Sequence, residues 1–111
     1  MMRIDVSERE HALVIALEGD AMGGPDGTAL HDALHAHRGR RNVVVDLGGV
    51  RHMNSSGLGM LIGALTTVRN GGGDLRLAGV GDRVRSLLLI TRLAGVFQSY
   101  DSVEDAVASF G

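Results

Sequence analysis

The chain has no cysteine and a single proline in 111 residues. Without thiols there is no disulfide framework and no thiolate chemistry, so the fold must be held by its core. Aromatic residues are 3% of the total against 44% hydrophobic, which makes that core aliphatic. Charge of one sign is lacking as well. Lys and Arg number 11 against 13 Asp and Glu, a formal net charge of −2 with a pI near 6.2. That balance leaves no basic footprint and argues against a nucleic-acid partner. No apolar run is long enough to span a bilayer, and Met1-Met2-Arg3-Ile4-Asp5 lacks the apolar core of a signal peptide. The expectation is a cytoplasmic protein with no membrane partner. Its length fits one domain, residues 1–111, that needs most of its apolar residues inside.

What is present is organised around Asn42–Met60. Val43-Val44-Val45 is a β-branched run too short for a helix and bounded by turn formers, the pattern of a strand buried on both faces. Gly48 and Gly49 are expected to break it. After a short connection come two adjacent hydroxyls, Ser55 and Ser56, then Gly57 and an apolar stripe, Leu58, Leu61, Ile62, Leu65 and Val68, at the spacing of one helix face. The serines therefore stand where a helix begins, and there a Ser oxygen can accept from an unpaired backbone N–H. The other side of the helix, Gly59, Met60, Gly63, Ala64 and Thr67, is smooth and uncharged.

Along the chain, Ile4 and Val6 mark an edge strand, and His11–Glu18 a more buried one paired with it as a hairpin. Gly19 to Gly27 reads as a loop with Met22 at its centre, a candidate contact surface. Thr28 to about Arg38 is an amphipathic helix. His31 and His35 share a face there, but no cysteine or carboxylate cluster completes a metal site, so solvated histidines are expected. Asn70-Gly71-Gly72-Gly73 ends the central helix. Leu75, Leu77 and Val80 form a strand parallel to the valine strand. Asp82 is expected to cap a helix through Leu89 or Thr91. Val96, Phe97 and Tyr100 indicate a final strand, and Ser102 a cap for a last helix that buries Ala106, Val107 and Phe110. The sum is an α/β sandwich with a central mixed, mostly parallel sheet of about five strands and about four α-helices.

Met53-Asn54-Ser55-Ser56-Gly57-Leu58-Gly59 resembles the Asp-Ser-Ser/Thr-Gly-Leu-Gly signature of bacterial anti-sigma factor antagonists, the single-domain STAS group. The preceding Val-Val-Asp-Leu-Gly-Gly-Val segment, Gly72-Gly73-Asp74-Leu75-Arg76-Leu77 and the Leu93–Phe97 region extend the likeness over nearly the whole chain. Asn54 departs from the family's usual Asp. The resemblance implies the STAS fold, with helices packed largely against one face. It also implies a switch: the unmodified protein binds an anti-sigma factor that is a serine kinase, phosphorylation of the first serine ends binding, and a serine phosphatase resets it. By motif position the acceptor is Ser55, with Ser56 a cap or hydrogen-bond partner. The partner surface is expected at Met22, Asn54, Ser55, Ser56, Gly57, Gly59, Met60 and Gly63. The alternative is a STAS binding or scaffold module without phosphorylation, in a signalling assembly or beside a transporter.

Catalysis is not expected. The G-x-S-x-G elbow is absent, and nothing near His52 would orient it as a base. Gly57-x-Gly59-x-x-x-Gly63 is a loose dinucleotide fingerprint not fed directly by a strand, and no Walker lysine follows a Gly-rich loop. No cofactor is implied.

Overall fold

A computed structural model describes residues 2–37, 39 and 42–111. Strand β1 (Met2–Glu8) pairs antiparallel with β2 (Leu13–Ala21), from Met2 opposite Gly19 to Glu8 opposite Leu13. Helix α1 (Pro25–Ala36) follows, then β3 (Val43–Met53), α2 (Ser55–Asn70), β4 (Leu75–Ala78), α3 (Asp82–Ile90), β5 (Ser99–Tyr100) and α4 (Val103–Ala108). The sheet order is β1-β2-β3-β4-β5, and every pairing after the first is parallel. Among the described residues, the five strands and four helices agree with the expected mixed, mostly parallel sandwich.

Alternation along the strands assigns side chains to two faces. Val43, Val45, Leu13, Ile15, Leu17, Leu75 and Leu77 face the larger core, with Leu30 and Leu34 of α1, Leu58, Leu61, Leu65 and Val68 of α2, and Val84 and Leu88 of α3. Val44, Val14, Ala12 and Ala78 face the other way, against Ala106 and Val107 of α4. The valine run is thus buried on both sides, as its composition requires. Three helices cover one face and α4 covers the second. Arg76, on that second face, donates to Ser109 O and Oγ at 2.9 and 2.6 Å, and its guanidinium lies 4.1 Å from the centroid of the Phe110 ring.

Several boundaries differ from expectation. Residues 19–21 continue β2, and Pro25 opens α1 at a position that favours proline, so the connecting loop is only residues 22–24. Gly48 and Gly49 do not break β3, because β2 runs on beside it and supplies the ladder as far as Ala21 opposite Met53. Gly81, with Asp82 as the first helical residue, caps α3, while Val96 and Phe97 precede the two-residue β5. Ser102 does cap α4, its Oγ accepting from Asp105 N at 3.1 Å. Arg38, named as the approximate end of the first helix, lies outside the described residues. His31 and His35 stack on an exposed side of α1 with ring centroids 6.3 Å apart. No helix among the described residues is long and apolar enough to cross a membrane.

Candidate functional site

Parallel strands β2 and β3 end side by side at Ala21 and Met53, and the site lies beyond their carboxyl ends. That is the usual place for function in a parallel sheet. Asn54 leaves the strand with extended backbone, and its Oδ1 accepts from Gly57 N at 2.8 Å. The helix cap is therefore Asn54, correcting the expectation that a serine would take this part. Asn and Ser cap equally well, and the choice falls to whichever residue immediately precedes the first turn. Ser55 and Ser56 are the first two residues of α2, and both are exposed. Neither hydroxyl has a hydrogen-bond partner among the described residues, so no base polarises Ser55.

Gly57 is buried, and a Cβ there would lie 1.9 Å from Ala21 O and 3.0 Å from Met53 Cγ. Its lack of a side chain lets the helix start sit directly on the end of β2, which is an internal packing role. Gly59 and Gly63 are different: both are exposed, and a Cβ on either would meet nothing within 4 Å. Internal packing therefore does not explain these two glycines, although Gly costs a helix about 1 kcal/mol relative to Ala.

Met60 and Ala64 do not belong to the open side. Met60 is 8% exposed and turns with Ala64 toward α1, where Leu30, Leu34, Gly63 and Thr67 complete a groove of about 200 Å³. The apolar stripe read from sequence omitted this second contact because a helix repeat cannot name its neighbours. Met22 is 41% exposed in the short loop after β2, its N–H donating to Asp26 Oδ2 at 3.1 Å. Beside it Gly23 has a φ of +80°, and a Cβ there would lie 2.7 Å from Ser56 Cβ. The loop is thereby pressed against the first turn of α2, bringing Met22 near the serines. One pairing was not legible in sequence. Arg83, 31 residues after His52, donates to His52 Nδ1 at 3.2 Å, and the two line a hollow with Met53, Asp82 and Ser86.

The arrangement is an exposed, unactivated hydroxyl on a capped helix start, next to a smooth helix side. It suits recognition and modification by another protein. Residues 3–106 match the STAS domain family, and the chain belongs to that family. It is 32% identical over 100 residues to the anti-sigma-B factor antagonist of Listeria monocytogenes, covering 86% of this chain and 85% of the relative. An anti-sigma factor antagonist from Mycobacterium paratuberculosis superposes with a TM-score of 0.83 at 21% identity, over 99% of this chain and 94% of that one. The phosphorylated form of the Bacillus cell-fate determinant SpoIIAA gives a TM-score of 0.72 at 15% identity, over 96% of this chain and 98% of that one. The family consists of binding proteins rather than enzymes.

Proposed function

We propose that this chain is an anti-sigma factor antagonist. Unmodified, it binds an anti-sigma factor that is also a serine kinase, and so frees a sigma factor; phosphorylation of Ser55 ends that binding, and a serine phosphatase restores it. The observation that carries the reading is the exposed Ser55 hydroxyl on the first turn of α2, above helix positions Gly59 and Gly63 that open onto free space. The curated Listeria relative is an anti-sigma-B factor antagonist, and one structural neighbour is a phosphorylated form, in line with the same reading.

A phosphoserine adds about −1.5 to −2 charges at neutral pH. At an exposed helix start, the backbone N–H groups and the helix dipole favour that charge, so the fold persists. A docked partner meets it differently, because the phosphate must then be desolvated and accommodated within a close interface. Asn54 fits this scheme. Its Oδ1 serves the cap that an Asp would serve, and as an amide it adds no repulsion toward an incoming phosphate. Docking uses Met22, Asn54, Ser55, Ser56, Gly59 and Gly63, while Gly57 and Met60 shape this surface from beneath.

The test is to incubate the protein with the anti-sigma factor kinase of its own genome and ATP, then measure intact mass. Gain of one phosphoryl group, absent from Ser55→Ala, is the expected result. An unmodified wild-type chain under conditions where the kinase is active would leave only the non-phosphorylated binding module.

A further inference from the structure

The hollow formed by His52, Met53, Asp82, Arg83 and Ser86 lies against the first turn of α2. Met53 makes the connection, since its Cγ is 3.0 Å from the Cβ position of Gly57. Successive residues of a helix are rotated by about 100°. Gly57 faces the sheet, and Ser56 faces Gly23 on the side where Met60, Gly63 and Thr67 line the groove to α1. One further step of rotation points Ser55 outward and away from α1. The cationic side chain lining the hollow beside Met53 is Arg83.

Arg83 is exposed and gives one N–H to His52 Nδ1. A guanidinium carries five donors in a planar fork matched to phosphate oxygens, so the remaining edge is available. In this contact the guanidinium is the donor, since it has no acceptor of its own. Two carboxylates temper the site. Asp82 lines the hollow, and Asp20 is aligned with His52 across β2 and β3. Arg51, the strand residue before His52, lines a separate hollow with Arg3, Glu18 and Gly49.

We propose that Arg83, braced by His52, receives the phosphate when Ser55 is phosphorylated. The contact is a charge-assisted hydrogen bond and involves no covalent step. It rests on Ser55 being the acceptor. Held this way, the phosphate becomes a fixed anion over the start of α2 instead of a mobile one, which places the negative charge where a partner must dock.

Phosphoserine installed at position 55 during translation, by an expanded genetic code, tests this without any kinase. Its second ionisation is followed by 31P NMR against pH. A free phosphoserine titrates near pH 6. The expected midpoint in the otherwise unchanged chain is about half a unit to one unit below that of the Arg83→Gln chain. The helix start acts equally in both, so the difference isolates Arg83. Arg69→Gln, at the far end of α2, is expected to keep the lowered midpoint, and amide spectra check that each variant is folded. Equal midpoints for the unchanged and Arg83→Gln chains would overturn the proposal. Whether a kinase modifies Ser55 is decided separately by the mass experiment, so the two failures are distinguishable.

Discussion

Replacing Gly57 by alanine puts a methyl group 1.9 Å from the carbonyl oxygen of Ala21 and 2.7 Å from its carbonyl carbon. Carbon-to-oxygen contacts settle near 3.3 Å, so the start of α2 and the end of β2 must part by roughly 1.4 Å. Neither side yields cheaply, since both are backbone in regular elements. Overpacking costs about 1–3 kcal/mol, and the upper end applies where backbone meets backbone. Alanine returns about 1 kcal/mol of helix propensity, leaving a net loss of about 2 kcal/mol. For a domain of this size that lowers Tm by roughly 8–16 °C. The same substitution at Gly59 or Gly63 meets nothing within 4 Å. There only the propensity gain remains, and Tm is expected to rise by a few degrees. Thermal unfolding followed by circular dichroism reads all three variants. A Gly57→Ala protein as stable as wild type, or a Gly63→Ala protein as damaged as Gly57→Ala, would refute the division into a packing glycine and open ones.

Asn54→Ala removes the acceptor for Gly57 N and is expected to cost about 1 kcal/mol, whereas Asn54→Asp keeps the cap and stays within a few tenths, as urea unfolding would show. Gly63→Glu should retain wild-type stability yet weaken binding to the anti-sigma factor at least tenfold in a calorimetric titration. Unfolding of that variant would return Gly63 to an internal role. Arg76→Leu loses both bonds to Ser109 and the stack over Phe110, at an expected cost of about 1–3 kcal/mol. Hydrogen exchange should then show α4 losing protection before the central strands do.

Much of this architecture is legible in the chain because burial pattern and local chemistry agree. Val43-Val44-Val45 can be satisfied only by cover on both faces, and the sheet supplies it. Ser102, followed by acidic residues, announces α4. Where legibility fails, the deciding partner lies elsewhere in the chain. Gly48 and Gly49 look like a break, yet β3 passes through them because the backbone of β2 is alongside to pair with. Glycines packed around Pro25 read as a loop, although proline suits a first helical turn. Ser55 and Ser56 stand out as candidate caps, but the cap is fixed by where the turn begins, and that leaves it with Asn54. Met60 looks like part of an open side until α1 is placed against it. The pairing of His52 with Arg83 joins an otherwise unremarkable strand residue to a helix 31 positions away, and no spacing rule anticipates it.

The most direct measurement is the affinity of the anti-sigma factor for two forms of the protein, one with Ser55 unmodified and one with phosphoserine at that position. Strong binding by the first and loss of at least two orders of magnitude in the second is the expected result. Equal affinity for both forms, with each shown to be folded, would contradict a switch at Ser55.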